Sequence, residues 1–425
     1  MKVLKFGGAS VKDADTIKNI PGILKNYPNE KLVIILSAMG KTTNALELLV
    51  EAFYNSQPDT IDHFDQIKQY HLNITKDLFE NPEHLIYSEL NLLFKELETK
   101  ITKGKDKAFD ANRSFNFIYD QIVSFGELFS TKLVSCYLND TAFSNNWFDV
   151  RKLIKTDNSF REGKVDWKRT ENLIKNNVTP ILSSGKYILT QGFIASNLKG
   201  ESVTLGREGS DFTASIFASV LDADEVILWK DVPGLMNADP KDFKETKMIN
   251  QISYGETIEL AFYGVKVIHP KTIKPLQNKK IPLKIKSFLS PGDIGSLIHT
   301  KTHQDSQLPL FIFKQDQILL SISPKDFSFM AEENLHFIFG LFAQYKIKIN
   351  MMQNSAISFS VCVDKKDSLE ELINNLKENY MVKYNEDLEL ITIRHYTKEA
   401  IDKVKKDRYI LLEQRSRSTI QLVVK

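Results

Sequence analysis

Two short apolar runs joined by one helix pattern place the strongest constraint on how this chain can fold. Residues 1–6 form a β-favouring run that stops at Gly7-Gly8, and residues 31–36 form a second run that is almost wholly apolar. Between them, isoleucines recur at helical spacing from residue 17 onward. A continuously apolar strand is typical of burial on both faces, and the order strand, helix, strand indicates a parallel sheet covered by helices. The sequence therefore predicts an α/β fold.

The same pattern continues through the first 300 residues. Helices are predicted at 211–221 and 254–263, and further buried strands are predicted at 180–182, 187–189, 225–229 and 282–285. A long region at about 45–125 is poor in glycine and proline and has helical spacing of its apolar residues, which predicts a helical insertion. We therefore predict one large domain at 1–300.

The pattern changes after a polar stretch at 299–310, which is the best candidate for a linker. Strand and helix patterns then follow as strand, helix, strand, strand, helix up to residue 379, and the same order begins again at 388. The second copy lacks the last helix and strand. This weak internal repeat predicts one complete ferredoxin-like unit at 308–384 and a truncated one at 385–425.

Composition excludes several classes of protein. Among 425 residues, Lys and Arg number 56 against 54 Asp and Glu, a net charge of +2 with no basic stripe, so nucleic acid is not expected as a partner. No apolar run reaches the roughly 18 residues that span a membrane, and no signal-peptide core stands at the N-terminus. Two isolated cysteines predict a reducing compartment, and we expect a cytoplasmic protein.

Three clusters of small residues follow predicted strands and could bind anions. Lys5-Phe-Gly-Gly-Ala-Ser10 combines a cation with two glycines that allow close backbone approach to a phosphate. Leu36-Ser-Ala-Met-Gly-Lys-Thr-Thr-Asn44 offers hydroxyl groups, and Thr204-Leu-Gly-Arg-Glu-Gly-Ser-Asp211 offers a guanidinium and a carboxylate. Each cluster alone is also explained as a turn, as a helix cap or as surface charge.

Together the three clusters resemble the aspartate kinase (aspartokinase) family of the amino-acid kinase superfamily. Lys5-Phe-Gly-Gly-Ala-Ser10 is similar to the family's opening Lys-Phe-Gly-Gly-Thr-Ser, and Leu205-Gly-Arg-Glu-Gly-Ser-Asp211 to its Leu-Gly-Arg-Gly-Gly-Ser-Asp. Other segments match in the expected order: Ser124-Phe-Gly-Glu127, Gln191-Gly-Phe193, Trp229-Lys-Asp-Val-Pro-Gly234, Asp239-Pro240, Gly264-Val-Lys266 and His269-Pro270. The resemblance implies the amino-acid kinase fold, a mostly parallel sheet sandwiched by helices, and C-terminal ACT units of which the second is truncated.

The resemblance also implies ATP-dependent phosphorylation of the side-chain carboxylate of L-aspartate, with Mg²⁺ as the companion of ATP. A carboxylate nucleophile is already ionised at neutral pH and requires no general base. Catalysis therefore consists of positioning the substrates and neutralising their charge. On this interpretation Lys5 bridges the transferred phosphate with help from Gly7 and Gly8, and Asp211 orients Lys5 or the metal.

The remaining roles are implied by the matching motifs. Arg207 would bind a carboxylate of aspartate and Glu127 its ammonium group, and the pocket would be completed by Ser37, Thr43, Phe193 and Ser210. The nucleotide side would be lined by Lys230, Asp231, Lys241 and Lys266. No metal-ligand spacing is visible, so the sequence assigns no residue to the metal.

The sequence departs from the family pattern at several positions. Ala9 replaces a threonine near the phosphates, and Glu208 replaces a glycine beside the substrate arginine. In the first ACT-like unit, Glu333-Asn334 and Asn350 stand where lysine-inhibited relatives have a glycine-phenylalanine turn and an aspartate. We therefore do not expect feedback inhibition by lysine or threonine.

Two alternative functions are consistent with the same residues. One is a sister kinase that acts on another carboxylate, on a phosphate or on carbamate. The other is a catalytically inactive amino-acid sensor built from the kinase fold and its ACT units. In each case a homodimer formed through the ACT-like units is expected by analogy.

Overall fold

The computed structural model describes residues 1–102, 114–243, 245–265, 268–300, 305, 308–326 and 328–425. These residues form two compact units. The first contains the described residues of 1–235, 250–258 and 268–300, and the second contains those of 236–249, 259–265 and the C-terminal part of the chain. No helix among the described residues is long and apolar enough to cross a membrane.

A twisted, mostly parallel sheet organises the first unit. In the described chain its eight strands lie in the order β3-β4-β2-β1-β7-β9-β10-β8, and the first six run parallel, while β10 is antiparallel to β9. Their bounds are β1 Lys2–Phe6, β2 Leu32–Leu36, β3 Asn145–Phe148, β4 Tyr187–Gln191, β7 Glu225–Lys230, β8 Gln251–Ser253, β9 Leu283–Ser287 and β10 Ser296–His299. A separate hairpin pairs β5 (Ile194–Ser196) with β6 (Ser202–Thr204). The central position of β2 explains its apolar sequence, because all five of its residues are buried.

Helices pack against this sheet, as the α/β pattern predicts. The helix α8 contacts β1, β2 and β7, and α6 contacts β2, β3 and β4. The helices α2 to α5 fall in the predicted insertion at about 45–125, with residues 103–113 outside the described part, and α6 begins where that prediction ends. The helix bounds are α1 Ala14–Leu24, α2 Thr42–Tyr54, α3 Thr60–Leu78, α4 Leu85–Thr102, α5 Phe115–Val123, α6 Phe125–Asp140, α7 Trp167–Ser183, α8 Gly209–Val220, α9 Tyr254–Tyr263 and α10 Pro270–Lys279.

One predicted strand is wrong. Residues 180–182 form the last turns of α7, although they were expected to be a strand because proline, isoleucine and leucine stand together there. The buried residues of α7 recur every four positions, at Thr170, Ile174, Val178 and Leu182, so Leu182 completes one face of a helix. The short apolar run is the end of an amphipathic helix, and the buried strand begins afterwards, with β4.

The second unit contains an antiparallel sheet. Its strands lie in the order β12-β13-β11-β14-β16-β15. The elements are β11 Leu310–Pro324, α11 Glu332–Gln344, β12 Ile349–Asn354, β13 Phe359–Asp364, α12 Leu369–Asn379, β14 Tyr380–Arg394, α13 Lys398–Lys405, β15 Ile410–Arg415 and β16 Thr419–Val424. The strand, helix, strand, strand, helix order matches the predicted repeat.

The two central strands are longer than the repeat pattern suggests. The strands β11 and β14 have 15 residues each and pair from Leu310 with Arg394 to Pro324 with Tyr380, with register shifts between Lys314 and Leu319. The predicted boundary at 384–385 lies inside β14. The strand β11 contributes Ile318, Leu320 and Ile322 to one hydrophobic cluster and Phe311 to another, so the two ACT-like units would share both strands. The unit boundaries remain predictions, and most of the predicted linker at 299–310 lies outside the described residues.

Candidate active site

The carboxyl ends of three neighbouring strands bring the predicted catalytic residues to one edge of the sheet. In the register, Lys5 of β1 stands opposite Ile35 of β2 and Leu228 of β7, so all three strands end at the same level. Ser37 follows β2 directly, and Lys230 is the last residue of β7. This edge is where parallel α/β sheets bind their ligands.

A buried carboxylate binds two lysines at this edge. Asp211, in the first turn of α8, lies 2.7 Å from Lys5 Nζ and 3.0 Å from Lys230 Nζ. Asp211 is 2% exposed and Lys5 is 7% exposed. Burial alone would raise the pKa of Asp211, but the two ammonium groups outweigh it and hold the pKa below its ordinary value. Asp211 therefore stays ionised and fixes the Lys5 ammonium group, with no proton to take up during a reaction.

Hydroxyl groups and close backbone contacts fix the loops beside this ion cluster. Ser37 Oγ donates to Ser210 Oγ at 2.9 Å, and Ser130 Oγ donates to the Ser37 carbonyl at 2.7 Å. The Gly40 N–H donates to the Gly8 carbonyl at 3.0 Å, and a Cβ at Gly8 would lie 2.9 Å from the Ala38 carbonyl oxygen. Only glycine allows this approach of the loop after β1 to the loop after β2.

Glu127, on α6, has a buried carboxyl group in which one of the two oxygens accepts a hydrogen bond from the described chain. Its side chain accepts from the Ala38 N–H at 3.3 Å through Oε1, while Oε2 has no hydrogen-bond partner among the described residues. Burial raises the pKa of Glu127 to about 8, against the opposing effects of the Ala38 N–H and the Lys5 charge. The residue is 3% exposed and lines the same cavity as Lys5. A cationic group entering the cavity would meet a carboxyl group that is ready to ionise.

One cavity of about 870 Å³ gathers nine of the predicted site residues. They are Lys5, Ser37, Thr43, Glu127, Phe193, Arg207, Ser210, Asp211 and Lys230. Gly7 and Gly8 follow β1 directly and are not among the residues that line this cavity. The predicted roles of these residues in binding remain predictions.

Two of the three remaining predicted nucleotide residues belong to the described part of the chain. Asp231 is exposed after the end of β7 and does not line the cavity. Lys241 belongs to the second unit, where its N–H donates to Asp239 Oδ1 at 2.9 Å. Lys266 lies outside the described residues. Their nucleotide-binding roles remain predictions.

Sequence reasoning missed part of the cavity wall. These further lining residues are Asn116, Tyr119, Ser159, Phe160, Arg161, Glu162, Thr204, Gly206, Glu208 and Gly209. Residues 159–162 lie in a turn without periodicity, so the sequence pattern does not mark them as functional. Asp120 is marked by the sequence, because a carboxylate within the apolar run of α5 is unusual. Its side chain is fully buried beneath this wall.

Glu208 stands where the family pattern has glycine, and it adds a second carboxylate to the cavity. Its backbone is left-handed, with φ of 54°, and Oε2 is buried without a hydrogen-bond partner in the described chain. Burial raises the pKa of Glu208, opposed by Lys230 and reinforced by Asp211. Mg²⁺ prefers one or two carboxylates together with phosphate oxygens, so Asp211 and Glu208 fit its donor chemistry.

Comparisons with known proteins show the family to which this chain is similar. The model of the amino acid kinase family matches residues 1–287. Lysine-sensitive aspartokinase 3 of Escherichia coli (strain K12) is 32% identical over 366 residues, which cover 85% of this chain and 78% of that protein. Aspartokinase 1, chloroplastic, of Arabidopsis thaliana is 30% identical over 376 residues, which cover 85% of this chain and 63% of that protein.

Solved structures show the same fold along the whole chain. The crystal structure of E. coli aspartokinase III in complex with aspartate and ADP superposes with a TM-score of 0.82 at 28% identity, covering 100% of this chain and 96% of that one. Clostridium acetobutylicum aspartate kinase superposes with a TM-score of 0.79 at 24% identity and the same coverage. The predicted fold class, a mostly parallel sheet with helices followed by an antiparallel C-terminal sheet, is confirmed.

Proposed function

The chain belongs to the amino acid kinase family and, within it, to the aspartokinases, and we propose that it transfers the γ-phosphoryl group of ATP to the side-chain carboxylate of L-aspartate. The product would be 4-phospho-L-aspartate. One observation carries the proposal: Lys5, held by buried Asp211, lies in the same cavity as Arg207 and Glu127. That cavity therefore contains a cation for a phosphoryl group beside groups that complement an amino acid.

Transfer between two anions is limited by charge repulsion. The aspartate carboxylate is ionised at neutral pH and attacks without a general base. Lys5, fixed 2.7 Å from Asp211, would stabilise the negative charge on the transferred group as the bond to the leaving oxygen breaks. The pairing of Asp211 with Lys5 and Lys230 keeps these cations in place before the substrates bind.

The amino-acid end of the substrate would lie between Glu127 and Arg207. The ammonium group would ionise Glu127, whose Oε2 is buried without a described partner. Arg207 is exposed to the cavity and offers the planar pair of N–H donors that suits a carboxylate. An N-acetylated amino acid lacks the ammonium group, so this arrangement favours the free amino acid.

The nucleotide phosphates would lie at the β1 and β7 ends, near Lys5, Gly7, Gly8 and Lys230. Mg²⁺, when bound, supplies positive charge that offsets the phosphates, and Asp211 and Glu208 are the carboxylates that would hold it. Nucleotide roles for Asp231, Lys241 and Lys266 are part of the proposal. We place the reaction at the start of the synthesis of lysine, threonine and methionine, by analogy with the family.

Effector control by lysine is not part of the proposal. Asn350 is 9% exposed, and its amide is committed to an internal cluster: Nδ2 donates to Gln317 and Asp364, and Oδ1 accepts from Lys314 Nζ at 2.8 Å. Residue 350 offers a free lysine an amide in place of a carboxylate, and the neighbouring Asp364 carboxylate already accepts from Asn350 and Gln317. We expect the rate of ADP release to be unchanged by added lysine.

A homodimer formed through the C-terminal sheet is also proposed. The strand β12 is at one end of the strand order, and it carries exposed Met352. Phe337 and Phe339 of α11 are exposed in the same unit. Open strand edges beside apolar side chains favour association with a second chain. The cytoplasmic location remains a prediction, supported by Cys136 and Cys362, which are both free thiols.

A substrate panel separates this proposal from its alternatives. ADP release is measured with ATP, Mg²⁺ and, in turn, aspartate, glutamate, N-acetylglutamate, UMP and carbamate. We expect kcat/KM for aspartate to exceed kcat/KM for each of the other acceptors by more than about tenfold. A preference for another acceptor would establish a sister kinase, and ligand-dependent thermal shifts without ADP release would establish an inactive sensor.

A further inference from the structure

The pairing of arginines in this chain singles out two guanidinium groups. Most described arginines bind a carboxylate within 3.3 Å, namely Arg151, Arg169, Arg394, Arg408 and Arg415. Arg161 and Arg207 have no carboxylate within 4.0 Å in the described chain, and both line the candidate cavity. Arg207 has a role in the proposed function, whereas Arg161 has none so far.

The backbone at Arg161 is fixed by a buried carboxylate. Arg161 has a left-handed φ of 68°, which costs about 1 kcal/mol for a residue with a Cβ. Its N–H donates to Asp120 Oδ2 at 2.8 Å. The same carboxyl group accepts from the Thr204 N–H at 3.0 Å and from Thr204 Oγ1 at 2.8 Å. Asp120 therefore joins the Arg161 turn to the end of β6, three residues before Arg207.

The side chain of Arg161 is fixed by an aromatic ring. Its guanidinium carbon lies 4.2 Å from the centre of the Tyr119 ring, and the Tyr119 hydroxyl donates to Glu47 Oε1 at 2.6 Å. Stacking of this kind holds the guanidinium plane and leaves the N–H groups at its rim available for an oxyanion. No side-chain hydrogen bond from Arg161 is made within the described residues. The group is oriented, charged and not consumed by a protein carboxylate.

We infer that Arg161 is a second guanidinium group, besides Arg207, that binds an oxyanion in the cavity. Asp120 is the positioning residue that holds the turn containing Arg161. This inference rests on the proposed function. The two substrates carry carboxylates and phosphates together, while Lys5 and Lys230 already share the charge of Asp211. The fixed guanidinium group of Arg161 adds a positive charge that no protein carboxylate neutralises within the described residues. The ligand is a carboxylate of the amino acid or a phosphoryl oxygen of the nucleotide.

The test compares Arg161→Gln and Arg161→Lys in the full chain. Aspartate and ADP are titrated separately by calorimetry, and kcat and KM are measured for both substrates. The control is Arg417→Gln, which removes another exposed arginine with no described carboxylate partner, in the turn before β16. We expect Arg161→Gln to weaken binding of one ligand by more than about tenfold, Arg161→Lys to restore part of it, and the control to change nothing.

The arms of the experiment identify the oxyanion. Weaker aspartate binding assigns Arg161 to a carboxylate, and weaker ADP binding assigns it to the phosphates. Binding of both ligands within twofold of the unaltered protein would overturn the inference. Absence of aspartate-dependent ADP release from the unaltered protein would instead overturn the proposed function, so the two failures are distinguishable.

The role of Asp120 is tested through Arg161. Asp120→Asn keeps the shape of the side chain, but its N–H₂ group cannot accept the hydrogen bonds that Arg161 and Thr204 donate to Asp120. We expect Asp120→Asn to raise KM for the same substrate as Arg161→Gln does, while kcat stays within about threefold of the unaltered protein. In the double variant, Asp120→Asn should raise KM little beyond the effect of Arg161→Gln alone. Full additivity in the double variant would contradict positioning through Arg161. If Asp120→Asn melts too low to be assayed, Thr204→Val removes the hydroxyl contact to Asp120 alone, and a KM change confined to that same substrate is expected.

Discussion

At the scale of single residues, the ammonium group of Lys5 has the most direct role. Its salt bridge to Asp211 is buried, so its position is fixed before the substrates arrive. Removing a group that stabilises developing charge typically lowers kcat by about 10²-fold to 10³-fold. We expect Lys5→Ala to lower kcat by about this factor and to change the Kd for aspartate by less than about threefold.

The control for this variant is Lys175→Ala, which removes an exposed ammonium group paired with Glu171 on α7. Its kcat should equal that of the unaltered protein. An unchanged kcat in Lys5→Ala would remove the role that we assign to Lys5. Steady-state kinetics and calorimetry on the same preparations separate the two effects.

Glu127 gives a pH prediction with a definite sign. Its pKa in the folded protein is about 8, well above the usual value for a glutamate, so the carboxyl group is mostly protonated at pH 7. The substrate ammonium would ionise it, and aspartate binding at pH 7 should release about one proton. Calorimetry in buffers of different ionisation enthalpy measures this release. Glu127→Gln should bind aspartate more weakly and release none.

The same shift determines how stability depends on pH. Between the usual glutamate pKa and about 8, the folded protein holds a proton that the unfolded chain has lost, so folding stability falls as pH rises through this window. Glu127→Gln should therefore raise the melting temperature more at pH 9 than at pH 5. Proton release by the Gln variant, or a melting difference of the opposite sign, would contradict the assigned pKa.

The sequence predicted the residues at strand ends better than those on turns. Lys5 and Ser37 follow from strand patterns, because the carboxyl ends of parallel strands must meet at one edge, whereas Lys230 is implied by the resemblance of its motif. Arg161 depends on a left-handed turn and on a buried partner in a distant helix, and neither has a periodic signal. Contacts between residues far apart in the chain are fixed by packing, which local patterns do not encode.

At the scale of elements, the helical insertion supports the loop after β2. The hydroxyl of Tyr70, on α3, donates to the Lys12 carbonyl, and a Cβ at Gly40 would lie 2.7 Å from that hydroxyl. Gly40 has φ of 49° and lies between Ser37 and Thr43, which both line the cavity. The insertion therefore supports the loop that carries Ser37 and Thr43, a contact that the helical pattern of the insertion alone does not predict.

Gly40→Ala tests this support. The methyl group would displace Tyr70 and shift the loop, and we expect kcat/KM to fall by at least about tenfold. The control is Gly185→Ala, which also places a Cβ at a positive φ, here 82°, but with no other atom within 4 Å. Adding Tyr70→Phe to Gly40→Ala should recover part of the activity. Equal losses in Gly40→Ala and Gly185→Ala would show that backbone strain alone is responsible.

Element types were predicted well, and element ends less well. The residues at 180–182 have the composition of a strand, but the face completed by Leu182 makes them helical. The strand predicted from 388 begins at Tyr380, because β14 continues through polar residues that pair with β11. Pairing with a long neighbour extends a strand beyond its apolar part, and this tertiary effect leaves no local pattern.

At the scale of the whole molecule, the proposed dimer can be tested at the β12 edge. Met352 is 50% exposed on this strand, and a charge there would prevent apolar association. We expect light scattering to give twice the chain mass for the unaltered protein and a monomer for Met352→Asp. Ile294→Asp, at a residue that is 85% exposed in the first unit, should remain a dimer. A monomeric unaltered protein would refute the proposal.

The central claim is that this chain makes an acyl phosphate from aspartate, and hydroxylamine trapping measures that product directly. With saturating ATP and Mg²⁺, the account predicts that aspartate and hydroxylamine yield aspartyl hydroxamate in step with ADP release. It also predicts that Lys5→Ala reduces hydroxamate formation by the factor by which it reduces kcat. Failure to form hydroxamate from aspartate in the folded, unaltered protein would contradict the account.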